Sequence, residues 1–384
     1  MFVQYAGDYR EAVQRFEAGG EENYGYQRFS VDAVAELTHQ FDRVSVLCFI
    51  TSEPYCEILN NGVQAIGLGA QEPSIEINKI IQTIEAQNPD RLIIRTPFTA
   101  LLRWVIQKKI PTLALFADSF QQKGIKSRIK NFLLAQILNN TCIEWVSNHN
   151  IDSCMSLKKI GVSPRKILPW DWPALKTPES SPVKQLDNTT DHQIFYAGML
   201  SEAKGVGDLL NAVAQLKKDG ITVKLMIAGG GDRQVFTQQV QQLQIEENVQ
   251  FLGLIPNHQV ISMMEAASAV VVPSRTEYPE GMPNTISEAL CTRTPIVMSN
   301  HPVFQRIFKH EKNAMIFESG DPNSLAQCLR KVLETPDLYA HLSESSLQAW
   351  NQLQTPLKWD VLVNTWLQAT PEGRTALGRY ALIH

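Results

Sequence analysis

The sequence predicts two α/β domains, each a doubly wound and mainly parallel sheet, facing a shared cleft. Three observations predict it. Short apolar runs alternate with helical patterns along the chain, the alternation breaks over a polar stretch near the middle, and it then restarts. At 384 residues with 44% apolar and 19% charged residues, the chain can bury two sizeable cores and has the composition of an ordinary globular protein.

In the first half, strands are expected at residues 2–5, 44–49, 65–68, 91–94, 112–116 and 142–146. Helices are expected between them at 30–38, 75–87, 100–108, 125–138 and 151–160. The domain they build spans 1–168. Residues 169–191 read as a linker, opening on Pro169-Trp170-Asp171-Trp172-Pro173 and continuing rich in Pro, Ser, Thr and Asp. The second domain, 192–355, restarts with strands at 193–197, 223–228, 249–252, 269–272, 296–298 and 314–317. Pro356 opens an amphipathic helix at 357–367, so 356–384 reads as a terminal helix that either crosses back to the first domain or packs on the second.

The net charge of −4 gives no reason to expect nucleic acid as a partner. Six scattered cysteines without a C-x-x-C pair argue against structural zinc and a disulfide framework, so reduced and mostly buried thiols are expected. With charged Asp8, Arg10 and Glu11 so early, no signal peptide is expected in the first residues, and no apolar stretch approaches the ~20 residues that span a bilayer. The expected location is the cytoplasm, with at most a peripheral contact to a membrane surface.

Function is written most densely in the stretch 273–290. An apolar strand, Ala269-Val270-Val271-Val272, is followed by a loop with Gly281 and then by the helix-start residues Pro283, Asn284 and Thr285. Strand, glycine turn and helix N-terminus form an anion site, because unpaired N–H groups and the helix dipole point at the loop. Glu280 and Glu288 flank it, roughly 12 Å apart at most if helical steps of ~1.5 Å separate them. A diphosphate fits between them, with a sugar at one end and a ribose at the other.

This arrangement resembles the E-x7-E signature of retaining glycosyltransferases of family 4, which have the GT-B fold of two Rossmann-like domains. Further stretches resemble the family in the same order: Phe195 to Gly205 (FYAGMLSEAKG), Leu225 to Gly231 (LMIAGGG), Val249 to Gly253 (VQFLG) and Thr294 to Val297 (TPIV). Together they cover roughly residues 190–335.

The resemblance implies a glycosyltransferase that moves a sugar from a nucleoside diphosphate sugar to a small-molecule, glycan or lipid-linked acceptor with retention of configuration. The nucleotide-sugar is a co-substrate, and no cofactor or metal is implied. Lys204 corresponds to the family's phosphate-binding lysine, a flexible point charge suited to a diphosphate. Glu280 is expected on sugar hydroxyls and Glu288 on the ribose hydroxyls. Backbone N–H groups at Asn284 and Thr285 are expected on the distal phosphate, where negative charge builds as the diphosphate leaves. Gly198, Gly281, Met282 and Pro283 complete the expected donor contacts, and the loop from Leu254 to Asn257 is expected at the base.

The chain departs from the family at Met199, where an arginine is usual, and Arg275 is the nearest replacement in sequence. The loop from Glu17 to Gly25, taken to follow the first strand, resembles the family's N-terminal glycine loop, which places Gly19 and Gly20 near phosphates and acceptor. Asp118 is the polar residue nearest to where many members carry a histidine, and it is also a good helix cap. His149 lies past another strand end, facing either the cleft or the core. Alternatives with the same nucleotide pocket are an epimerase or hydrolase, and a degenerate nucleotide-sugar binder. The base, sugar, acceptor and oligomeric state are not specified by the sequence.

Overall fold

The computed structural model describes residues 1–5, 7–70, 76–120, 124–186 and 192–383. The chain forms two compact units. The first comprises Met1–Glu22, Tyr26–Pro173 and Thr355–His384, and the second Asn23–Gly25 and Ala174–Gln354.

The first unit is built on eight strands: β1 (Phe2–Gln4), β2 (Ser45–Ile50), β3 (Pro54–Ile58), β4 (Gln64–Ala70), β5 (Leu92–Ile94), β6 (Thr112–Phe116), β7 (Ile143–His149) and β8 (Ile167–Trp170). Their order is β3-β4-β2-β1-β5-β6-β7-β8, parallel throughout except for the antiparallel edge pair β3–β4. Strands such as Thr112–Phe116 are buried along their whole length, which is why they read as uninterrupted apolar runs.

Four features differ from the sequence expectation. A helix, Tyr9–Glu17, stands between β1 and the glycine-rich loop, so that loop follows a helix rather than a strand. The edge strand β3 was not expected, since its residues are mostly exposed and lack alternation. Pro169 and Trp170, expected in the linker, close strand β8 instead. Proline is tolerated there because β8 is an edge strand. The C-terminal segment folds as two helices, Trp359–Leu367 and Pro371–Gly378, rather than one. The expected helix start at residue 75 and the linker end at 187–191 lie outside the described residues.

The C-terminal segment is part of the first unit because of what it buries. Trp359 stacks on Phe2 at 6.2 Å, and Leu362, Val363 and Trp366 join the core beneath β1 and β8. Asp171 anchors its entry: its backbone pairs with Leu357 and Trp359, and its carboxylate accepts from the Thr355 N–H at 3.2 Å.

The second unit carries β9 (His192–Ala197), β10 (Val223–Ala228), β11 (Val249–Gly253), β12 (Ala269–Val272), β13 (Ile296–Ser299) and β14 (Met315–Phe317). Their order is β11-β10-β9-β12-β13-β14, all parallel. The order reverses between β9 and β12, so loops at the carboxyl ends of these strands diverge and leave a crevice there. All six cysteines are unpaired; Cys48, Cys154 and Cys328 are buried.

Candidate active site

The crevice at that reversal is occupied by a pocket of about 350 Å³. Its floor is the end of β9 (Ala197, Gly198, Met199) and of β10 (Ala228, Gly229, Gly230). Its walls are Leu254, Ile255, Asn257 and Val260 on one side and Asn284, Thr285 and Glu288 on the other, with Asn23, Tyr24 and Gly25 completing it.

Backbone contacts fix the floor. The N–H of Gly198 donates to the Ala228 carbonyl at 2.9 Å, that of Gly229 to Gly253 at 2.8 Å, and that of Leu200 to Gly230 at 2.7 Å. A Cβ on Gly229 would lie 1.8 Å from the Gly198 carbonyl oxygen, so only glycine lets the two strand ends close this tightly.

The helix Asn284–Cys291 starts at the pocket, with Pro283 as its cap residue and Ile286, Ala289 and Leu290 anchoring it in the core. Its first N–H groups have no carbonyl one turn earlier to accept them, which makes this end attractive to an anion. One turn further on, Glu288 points along the same wall. Its Oε1 accepts from Asn257 Nδ2 at 2.8 Å. A Cβ on Gly25 would come within 2.6 Å of that same Oε1, and the Gly25 carbonyl accepts from Asn284 Nδ2 at 3.2 Å. Glycine at 25 therefore sets how closely this loop approaches the carboxylate.

Glu280 lies in the loop between β12 and that helix, 5% exposed. Its Oε1 accepts from both Lys204 Nζ and Ser274 Oγ at 2.5 Å, and neither contact uses Oε2. Lys204 Nζ also sits 4.2 Å above the Tyr278 ring. Lys204 and Glu280 are thus direct partners, a pairing the sequence did not suggest. Tyr196 packs below, its hydroxyl donating to the Met199 carbonyl at 2.8 Å. Burial first, then Glu280 and Tyr278, pushes its phenol well above the usual range.

The structure gathers Gly198, Leu254, Asn284, Thr285 and Glu288 at one pocket, with Met199 where the family's arginine is absent. Gly281 and Met282 are buried in the loop that leads to Pro283. Arg275 is placed elsewhere. Its Nε and Nη2 hold both oxygens of buried Asp208 at 2.8 Å, and Nη2 reaches Glu202 at 2.6 Å. Hydrogen bonding to Asp208 is the main reason its guanidinium is held above even the usual arginine range. That side chain is held by two carboxylates and does not line the pocket.

The first unit's candidates are Gly19, Gly20, His149 and Asp118. Gly19 and Gly20 terminate the helix Tyr9–Glu17: Gly19 adopts φ 77°, and their N–H groups donate to Phe16 and Arg15 carbonyls at 3.1 and 2.8 Å. Asn23, Tyr24 and Gly25 of the same loop, not these glycines, line the pocket. His149 is a packing residue at the start of the helix Asn150–Ile160, 4.8 Å from the Trp170 ring with Nε2 3.3 Å from Asp171 Oδ1. Asp118 follows β6; burial pushes its carboxyl up while Arg95 pulls it down, and its backbone carbonyl accepts from Asn148 Nδ2 at 2.7 Å.

Asn257, Asn23 and Tyr24 were not singled out from the sequence. Only the placement of 254–257 in an expected base-contacting loop pointed toward Asn257. Among the described residues, no group of three or more His, Cys, Asp or Glu could hold a metal, and no helix is long and apolar enough to cross a membrane.

Comparison with known proteins follows the same geography. Residues 179–348 match the family described as "Glycosyl transferases group 1". Over 145 residues the chain is 30% identical to a putative colanic acid biosynthesis glycosyltransferase, WcaL, of Escherichia coli, an overlap covering 36% of each chain. Over 199 residues it is 25% identical to glycogen synthase of Mycobacterium tuberculosis, covering 51% of this chain and 44% of that one. The match thus spans 36% of the length of the first of these relatives. Among solved structures, sucrose-phosphate synthase from Thermosynechococcus elongatus superposes with a TM-score of 0.69 at 16% identity, covering 98% of this chain and 100% of that one. HepE from Anabaena, solved in complex with UDP-glucose, gives 0.64 at 15% identity, covering 97% and 98%. The chain therefore has the GT-B fold, and its residues 179–348 are similar to group 1 glycosyl transferases.

Proposed function

We propose that the protein is a retaining glycosyltransferase that takes a nucleoside diphosphate sugar as donor and needs no metal. The observation that carries this reading is the pocket at the β9–β12 reversal, where one helix N-terminus, a backbone floor and the Asn257-held carboxylate of Glu288 converge. A ribose fits against Glu288, whose oxygens accept its hydroxyls, and the base lies against Leu254 and Ile255. The diphosphate meets the first N–H groups of the helix Asn284–Cys291. These donors are fixed before the substrate arrives, so they stabilise the leaving group without reorganisation.

The sugar lies toward Glu280, whose Oε2 accepts a sugar hydroxyl while Oε1 stays with Ser274. Lys204 swings from Glu280 to the departing phosphate as the anomeric C–O bond breaks and the diphosphate takes the electron pair, while an acceptor hydroxyl oxygen bonds to the anomeric carbon on the same face and gives its proton to the leaving phosphate. The cation and the helix end together fill the place of a divalent ion. HepE's UDP-glucose complex on the same fold is consistent with this class of donor.

A thermal-shift panel of UDP-, GDP- and ADP-sugars, run with and without EDTA, tests the reading. One donor class should raise Tm equally in both conditions, since a binder stabilises the native state by mass action. Stabilisation by none of the three, or transfer that requires added Mg²⁺ or Mn²⁺, would contradict it.

A further inference from the structure

The helix Gly124–Leu138 in the first unit is apolar on two faces. One face, with Leu134, Ala135, Ile137 and Leu138, is buried in the core of its unit. The other carries Ile125, Ile129, Phe132 and Leu133, which are between 44% and 77% exposed. At 3.6 residues per turn these four occupy an arc of roughly 100°, the width of an ordinary core-facing stripe, but here turned to solvent.

Charge frames the stripe. On the same helical projection Lys126 and Lys130 lie along one margin and Arg128 along the other, and all three are exposed. No ion pair among the described residues engages them. No Asp or Glu occurs between Asp118 and Glu144, so the segment is locally cationic in a chain whose net charge is −4.

We propose that this face docks on an anionic lipid surface. An apolar stripe between rows of cations matches a helix lying in the plane of a bilayer interface, with its hydrocarbon below the headgroups and its ammonium and guanidinium groups level with the phosphates. A second copy of the chain fits poorly, because pairing two such faces sets cation against cation with no carboxylate on either helix. The site is an interfacial one, since the helix itself is 15 residues long with an inner face committed to the core. The proposal goes beyond sugar transfer and does not depend on it.

Sedimentation of the full chain with vesicles of phosphatidylcholine, with or without phosphatidylglycerol, tests it. The wild type should bind the anionic vesicles, and high salt should release it. The triple variant Lys126→Glu, Arg128→Glu, Lys130→Glu should bind on the order of a hundredfold more weakly, since each cation near an anionic surface contributes about fivefold. Ile129→Ser with Phe132→Ser should also abolish sedimentation, and both variants should keep the wild-type Tm because the altered side chains are exposed. Absence of wild-type binding, equal binding to neutral vesicles, or unchanged binding of the triple variant would overturn the proposal. So would self-association that is lost with the apolar variant and unaccompanied by vesicle binding.

Discussion

Residues 274–280 and 284–288 belong to one short stretch of chain, yet they dispose of their polar groups in opposite ways. In the first, Arg275 is taken up by Asp208 and Glu202, and Glu280 by Lys204 and Ser274. In the second, Asn284, Thr285 and Glu288 line an open pocket, with Glu288 steadied by Asn257. The first region holds charges against one another, and the second presents polar groups to the pocket. A single sequence signature thus covers two physical tasks, latching and receiving.

The largest expected effect falls on the latch. Arg275→Ala leaves Asp208, 3% exposed, without its bidentate partner, and removing one member of a buried pair costs about 3–5 kcal/mol. Urea unfolding should show that loss, and an unchanged midpoint would mean the pair is only a surface contact. Lys204→Ala should come next, lowering kcat about a hundredfold while donor KM changes less, because phosphate charge grows in the transition state. Normal turnover would reduce Lys204 to a structural partner of Glu280.

On the receiving side, Gly25→Ala should weaken donor binding roughly five- to tenfold, since the added methyl displaces the Glu288 carboxylate at a cost of about 1 kcal/mol. Wild-type affinity in a calorimetric titration would show that the loop yields instead. The smallest effect is expected from Gly19→Ala, about 1 kcal/mol of stability from strain at a left-handed helix end, with donor affinity unchanged. Loss of donor affinity there would return the glycine loop to the site.

The receiving half was the legible half. Its strands are buried apolar runs, its floor is glycine and its anion site is a helix start, so the chemistry is made by backbone and leaves a local trace. The latch was not legible, because Arg275 meets an aspartate 67 positions away. Asn257 reaches Glu288 across 31 positions, with nothing in its own neighbourhood to announce it. Among the fold elements, β3 was missed because its exposed residues show no alternation, and β8 because its proline and tryptophan imitate a linker. The helix Tyr9–Glu17 did leave a local trace, with Asp8 as cap and Tyr9, Ala12, Val13 and Phe16 at i, i+3, i+4 and i+7, and overlooking it misplaced the glycine loop by one element.

In the proposed pose the donor lies across the signature with its nucleotide on Glu288 and its sugar on Glu280. Calorimetric titration of the wild type, Glu288→Ala and Glu280→Ala with whichever of UDP, GDP or ADP the wild type binds tests it most directly. Glu288→Ala should lose roughly ten- to a hundredfold in affinity, the worth of about 1.5–3 kcal/mol for a charged hydrogen-bonding group. Glu280→Ala should bind the diphosphate as the wild type does while failing in transfer. Loss of diphosphate binding in Glu280→Ala with retention in Glu288→Ala would contradict this placement of the donor.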